Sequence, residues 1–124
     1  PLLKVSGAFD ATASRYTLTV EQFVPPTPGQ AVKWPMVIPL SMALVHASGE
    51  VTHAQVLNVS EAMQRFTFDN VTAKPVPSLL RGFSAPVKVD FDYSDAELAM
   101  LVAQDSDGVV RWQALRSLFF RAHG

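Results

Sequence analysis

The sequence contains no cysteine, so disulfide bonds and thiolate metal sites are both excluded. It also lacks any apolar run near the roughly 20 residues that a membrane-spanning helix requires. Its 10 basic and 11 acidic residues are interspersed and give a net charge of −1, so no basic patch points to nucleic acid. We therefore predict no membrane or nucleic-acid partner. The lack of cysteine suits a reducing compartment, and we expect a cytoplasmic location.

Catalytic motifs are missing as well. No serine stands in a Gly-x-Ser-x-Gly context, and there is no glycine-rich phosphate loop. His46, Glu50 and His53 offer two imidazoles and a carboxylate. A catalytic zinc helix needs its histidines four residues apart, whereas this spacing spans a Ser-Gly turn between two predicted strands. We therefore expect no catalytic and no metal-binding residue here, and we interpret both histidines as strand-face residues.

The composition is that of a globular protein. Of the 124 residues, 48% are hydrophobic and 17% are charged, which suits one domain with a small appendage. The chain begins Pro-Leu-Leu-Lys, with neither a methionine nor a signal peptide. We expect it to be part of a longer protein.

Apolar and polar residues alternate in several short segments, which indicates strands with one buried face. Residues 15–22, 66–69 and 87–93 show this pattern clearly. In the last of them, the acidic residues at 90 and 92 mark the solvated face. Pro75 and Pro77 fix φ and remove donors, so the segment that contains them is not a central strand.

Six or seven such strands occur without helical crossovers between them, which favours a β-sandwich. Residues 37–45 would place Ile38, Leu40, Met42 and Leu44 inward, and Pro39 predicts an edge position or a bulge for that strand. Residues 24–35 hold four prolines and predict a long irregular connection. We predict a mainly β fold, an immunoglobulin- or fibronectin-like antiparallel sandwich over residues 1–93.

The period changes at Ser94, where a helix is predicted to begin. Ser94 and Glu97 match a capping box, and Tyr93 and Leu98 match the flanking hydrophobic staple. The apolar stripe of this helix ends near Gln104. Residues 94–124 are therefore expected to be helical.

A second helix is predicted after the acidic break at residues 105–108, where negative charge suits a helix N-terminus. It has apolar residues near one face, namely Val109, Trp112, Leu115, Phe119 and Ala122. Phe120 is turned about 100° from Phe119 by helix geometry. A helix with two apolar faces predicts neighbours on both sides, and we expect self-association of the isolated chain through it.

Several segments, in their order along the chain, resemble bacterial aminopeptidase N, the alanyl aminopeptidases of the zinc metallopeptidases. The resemblance extends over nearly the whole chain. The segments include Phe66-x-Phe68-Asp69-Asn70-Val71, Pro75-Val76-Pro77-Ser78-Leu79-Leu80 and Phe83-Ser84-Ala85-Pro86-Val87-Lys88. The last of these and the Pro75-Val76-Pro77 corner are the most specific. They resemble the immunoglobulin-like third domain of that family. Ser94-Asp95 with Leu98, and Asp107 with Arg111-Trp112, resemble the first helices of its C-terminal helical domain.

The resemblance implies a parent enzyme that uses zinc to remove N-terminal residues from peptides. The family's chemistry depends on a His-Glu-x-x-His helix, a further Glu ligand and a Gly-x-Met-Glu-Asn segment, none of which is present. Zinc and the peptide substrate would therefore belong to the parent, and this chain would be a non-catalytic spacer. Its partners would be the catalytic and C-terminal helical domains of the same polypeptide.

On this interpretation, Tyr93, Trp112 and Phe120 anchor contacts between the sandwich, the helices and a neighbouring domain, since aromatic residues bury large areas. The full set of candidate interdomain residues is Tyr93, Ser94, Glu97, Leu98, Trp112, Phe119 and Phe120. One alternative is a free-standing binding or adhesion module that recognises a partner through loops such as residues 24–35. Another is an autonomous enzyme, for which only His46 and His53 are available.

Overall fold

The computed structural model describes residues 2–23, 37–79, 81 and 87–123. Within them, seven strands are followed by two helices. The strands are β1 (Leu2–Asp10), β2 (Arg15–Phe23), β3 (Ile38–Val45), β4 (Val51–Val59), β5 (Met63–Phe68), β6 (Val76–Leu79) and β7 (Lys88–Phe91), and the helices are α1 (Asp95–Gln104) and α2 (Gly108–His123). This order confirms the predicted fold class. The connection predicted at residues 24–35 lies outside the described residues.

The strands form two sheets, one with the order β5-β2-β1-β7 and the other with the order β4-β3-β6. All pairings are antiparallel except that of β1 with β7, which is parallel and places Leu2 opposite Lys88. The alternation of side chains did not reveal this, because parallel and antiparallel strands both alternate with a period of two. Strand β6, which contains Pro77, lies at a sheet edge as the prolines require.

The sandwich core lies between the two sheets and follows the predicted alternation. In β2, Tyr16, Leu18 and Val20 are buried while the residues between them are more exposed. The residues predicted to point inward from the third strand are all buried, namely Ile38, Leu40, Met42 and Leu44. Binary patterning thus determines which face of β2 and of the first half of β3 is removed from water.

Strand β3 is central in its sheet, so the edge position offered for it was wrong. A bulge does occur beside it, but the extra residue belongs to β4, because Met42 pairs with Gln55 and Leu44 with Thr52. The register with β4 shifts between Met42 and Leu44. Pro39 pairs with Asn58 of β4, whereas β6 pairs with β3 only from Met42 onwards. The missing N–H of Pro39 therefore lies in the half of the strand that β6 does not reach.

Both helices begin with side-chain caps. The predicted capping box forms, because the Glu97 N–H donates to Ser94 Oγ at 3.1 Å and the Ser94 N–H donates to Glu97 Oε1 at 2.9 Å. At α2, Asp107 Oδ1 accepts from the N–H groups of Val109 and Val110 at 2.9 and 3.0 Å. No helix among the described residues is long and apolar enough to span a bilayer.

Candidate functional site

The helices pack against one end of the sandwich through a second apolar cluster. Its buried members, which we call the junction cluster, are Val45 and Val76 from the sandwich and Leu98, Leu101, Val110 and Ala114 from the helices. Tyr93, Met100, Val102, Val51 and Leu118 pack partly buried against them. The junction cluster is distinct from the core between the sheets. Because buried apolar area is the main source of stability, it attaches the helices to the ends of β3 and β6.

Tyr93 connects three elements at this junction. Its hydroxyl donates to the carbonyl of Pro77 in β6, and its ring lies 4.4 Å, centroid to centroid, from that of Phe91 in β7. With Leu98 it belongs to the apolar group that surrounds the start of α1, as the predicted staple requires. Burial raises the pKa of the Tyr93 phenol above its ordinary value, with smaller contributions from Tyr16 and nearby carboxylates.

We expect Tyr93→Phe to lower the free energy of unfolding at pH 8 by about 1–3 kcal/mol, because the Pro77 carbonyl loses its donor. Since the pKa of Tyr93 is raised on folding, the phenol of the unfolded chain ionises first, at about pH 10. The stabilising contribution of the neutral phenol is thus fully present below that pH and is lost as the pH rises further. The difference in free energy of unfolding between the parent sequence and Tyr93→Phe should therefore be smaller at pH 11 than at pH 8, as measured by urea denaturation.

The companion variant is Tyr16→Phe, because burial also raises the pKa of the Tyr16 phenol. Each substitution should make the alkaline loss of stability less steep, and the double variant should show the shallowest loss. An alkaline slope for Tyr93→Phe equal to that of the parent sequence would contradict the assignment.

A buried ion pair joins the segment after β6 to the loop between the helices. Arg81 Nη1 lies 3.2 Å from Asp105 Oδ1, and the Asp105 side chain has no exposed surface. Arg81 Nη2 also donates to Ser106 Oγ at 2.8 Å, and the Asp107 N–H donates to Asp105 Oδ1 at 3.0 Å. Asp105 was predicted only as part of an acidic helix start. The structure corrects this, because Asp107 caps α2 while Asp105 is buried in the junction.

The structure buries a different side of α2 from the one that the sequence predicted to be apolar. Val110 and Ala114 are buried in the junction cluster, where α2 packs mainly against α1, although neither belonged to the predicted apolar face. Most of that face is exposed instead. Four large side chains of α2 are 54 to 59% exposed, namely Trp112, Leu115, Phe119 and Phe120. We call this group the outer face of α2.

Arg116 organises the aromatic side chains of the outer face. Its guanidinium carbon lies 5.8 Å from the ring centre of Trp112 and 5.1 Å from that of Phe120. Such cation–π contacts contribute about 0.5–1 kcal/mol each at exposed sites. Of the predicted interdomain aromatics, only Tyr93 contacts the sandwich, whereas Trp112, Phe119 and Phe120 present an apolar surface to the outside.

The two candidate histidines converge on one hydroxyl. His46 Nε2 lies 2.9 Å and His53 Nδ1 3.0 Å from Thr52 Oγ1, while His53 Nε2 lies 2.8 Å from the carbonyl of Asp69. Because a carbonyl only accepts, His53 Nε2 carries a proton, and in the neutral ring Nδ1 accepts from Thr52. Within the described part of the chain, no group of three or more histidine or acidic side chains is placed to hold a metal.

His53 therefore links the two sheets. Besides its bond to Asp69, its ring packs edge-on against Phe68 of β5, with 5.9 Å between the ring centroids. The residue adopts φ 57°, and it lies where the register between β3 and β4 shifts. A non-glycine residue in this left-handed region needs compensating contacts, which these bonds supply.

Comparisons with known proteins agree with this architecture. A family described as "Domain of unknown function (DUF3458) Ig-like fold" matches residues 1–92. Aminopeptidase N of Escherichia coli (strain K12) is 40% identical over 126 residues, covering 95% of this chain and 14% of that protein. Aminopeptidase N of Haemophilus influenzae is also 40% identical, over 96% of this chain and 15% of that protein. The chain thus spans a small part of the relatives it matches.

A solved structure supports the same correspondence. The crystal structure of Legionella pneumophila aminopeptidase A in complex with aspartic acid superimposes with a TM-score of 0.81 at 30% identity. The match covers 94% of this chain and 13% of that one, so it includes the helices as well as the sandwich. The immunoglobulin-like fold predicted from the alternating segments is confirmed.

Proposed function

Because the chain belongs to the DUF3458 family of domains with an Ig-like fold, we propose that it is a non-catalytic structural domain of a zinc-dependent aminopeptidase. The parent enzyme removes N-terminal residues from peptides. This domain positions a C-terminal helical domain against the catalytic domain. The similarity to aminopeptidase N, which covers 95% of the chain, supports this proposal. We refer below to the parent as the longer polypeptide.

The observation that carries the proposal is the contrast between the two sides of α2. The inner side belongs to the junction cluster, and the loop before α2 is held by the ion pair of Arg81 with Asp105. The outer face leaves Trp112 and Phe120 more than half exposed. Contiguous exposed apolar side chains of this size mark interaction sites. The rigid junction fixes the direction of this surface, and the remaining helices of the longer polypeptide pack on it.

Zinc and the catalytic residues belong, in this proposal, to the part of the longer polypeptide outside residues 1–124. Residues 1–93 form the spacer and residues 94–124 begin the helical domain. A cytoplasmic location is part of the same proposal. An assay with zinc and an alanyl chromogenic substrate should detect activity in the longer polypeptide and none in the 124-residue chain. Activity in the short chain would contradict the proposal.

A sharper test introduces charge into the outer face. Phe120→Asp should lower the activity or the melting temperature of the longer polypeptide, because a carboxylate would be buried at the interdomain contact. At concentrations at which the 124-residue chain is monomeric, the same substitution should leave its stability nearly unchanged, since Phe120 is 55% exposed there. The matched control is Met63→Asp on β5, where the residue is 54% exposed and lies at the sheet edge opposite β7.

The control substitution should be harmless in both proteins. If Phe120→Asp were equally harmless in the longer polypeptide, the outer face would not be an interdomain surface. Sedimentation of the 124-residue chain adds a second readout. The uncovered face should drive self-association, and Phe120→Asp should return the chain to a monomer.

A further inference from the structure

A groove separates the inner edge of α2 from strand β7. Its volume is about 770 Å³, within the range of sites that bind ligands or peptides. Residues Val87 to Phe91 line one wall, and Gln113, Arg116 and Ser117 of α2 line the other. Leu79 and Leu98 also line it. The groove therefore runs along the full length of β7.

Strand β7 is an edge strand. Among the described residues, it pairs with β1 on one side and with no strand on the other. An edge of this kind presents N–H and C=O groups that an extended segment can pair with by adding a strand. All five residues from Val87 to Phe91 line the groove, so the edge strand forms part of its wall.

The core-facing side of β7 is incompletely covered. Val87, Val89 and Phe91 pack against the sandwich core but remain partly exposed, in contrast to the fully buried residues of β2 and β3. A strand added beside β7 would place every second side chain on the same side of the sheet. Apolar side chains at those positions would complete the core at this edge.

The charges around the groove indicate which polar side chains an added strand would carry. Lys88, Arg116 and Arg121 line it together with one acidic residue, Asp90. Arg121 is already paired with Asp95 at 2.8 Å. Within the described part of the chain, neither Lys88 nor Arg116 has an ion-pair partner. An occupant that carries carboxylates beside these cations would be complementary.

We propose that the groove receives an extended segment of the same polypeptide, from outside residues 1–124, in which apolar and acidic side chains alternate. The segment adds a strand to β7. This inference rests on the proposed function, since the chain spans only 14% of its Escherichia coli relative. A segment in the same molecule is favoured by its high effective concentration. Residues 24–36 and 82–86 contain no Asp or Glu, so neither stretch supplies the acidic side chains.

Carbodiimide coupling in the longer polypeptide tests the proposal, because it joins an amine directly to a carboxylate in contact with it. Mass spectrometry should find Lys88 linked to an Asp or Glu outside residues 1–124. The control is Lys88→Arg, which keeps the charge but removes the reactive amine, and should abolish this linkage alone. Coupling of Lys88 only within residues 1–124, or no coupling at all, would overturn the proposal.

Hydrogen exchange gives a second readout in the same longer polypeptide. Lys88→Glu should speed exchange of the amides of β7 at least tenfold, because repulsion releases the added strand. Lys74→Glu, at an exposed position that does not line the groove, should leave these amides unchanged. Equal exchange in both variants would overturn the strand addition. Neither measurement depends on peptidase activity. An inactive polypeptide that still shows the Lys88 linkage would refute the proposed function but support strand addition at the groove.

Discussion

Arg81→Met is expected to lower the free energy of unfolding of this chain by about 3–5 kcal/mol, the cost of leaving a buried charge without its partner. The Asp105 side chain has no exposed surface, and its Oδ2 atom already lacks a hydrogen-bond partner. Without the guanidinium, the carboxylate would keep only the N–H of Asp107. Urea denaturation at pH 7 measures the loss.

Two further variants separate the charge from the packing. Adding Asp105→Asn to Arg81→Met should recover much of the lost stability, because no ionised group then remains buried. Arg15→Met breaks an ion pair with Asp69 at 2.8 Å whose side chains are 51 and 62% exposed. That loss should be about 0–1 kcal/mol. Equal losses in free energy of unfolding for Arg81→Met and Arg15→Met would show that burial does not make the Arg81–Asp105 pair more important for stability.

The strands could be predicted from the sequence because their information is local. In residues 15–22, each apolar residue is separated from the next by a polar or small one, and the structure buries Tyr16, Leu18 and Val20 accordingly. The start of α1 is equally local, since Ser94 and Glu97 satisfy each other's backbone within three residues. Features of this kind need no knowledge of the rest of the fold.

The junction could not be predicted because its parts are distant in sequence. Arg81 and Asp105 are separated by 24 residues, and no local pattern joins them. Likewise, α2 is apolar on more than one side, so periodicity alone favoured the larger residues such as Trp112. Packing in the junction cluster, chiefly against α1, buries Val110 and Ala114 instead. Small side chains allow a helix to approach its neighbour closely, and that preference acts only once the neighbour is in place.

The histidines illustrate the same limit. Their spacing indicated that a hairpin could bring His46 and His53 together, and both in fact contact Thr52. The consequence depends on Asp69, whose carbonyl fixes the protonation of His53 Nε2. That contact links two sheets, so its chemistry follows from the fold rather than from the His46–His53 spacing.

Leu101→Ala is expected to lower the free energy of unfolding by about 2–5 kcal/mol, through lost burial and the cavity that remains. Leu101 is 1% exposed and lies in the junction cluster between the helices and the sandwich. The matched control is Leu115→Ala, the same substitution on the outer face at 54% exposure. It should change stability by no more than about 0.5 kcal/mol in the 124-residue chain.

Comparing the two leucines in two chain lengths connects stability to function. In the longer polypeptide, Leu115→Ala should cost more than in the 124-residue chain, because the proposed neighbouring helices cover the outer face there. Leu101→Ala should cost a similar amount in both, because its neighbours lie within this chain. If Leu115→Ala lowered the free energy of unfolding by the same small amount in both chains, the outer face would not be covered in the longer polypeptide. A large effect in the short chain at concentrations at which it is monomeric would contradict the exposure of Leu115 there.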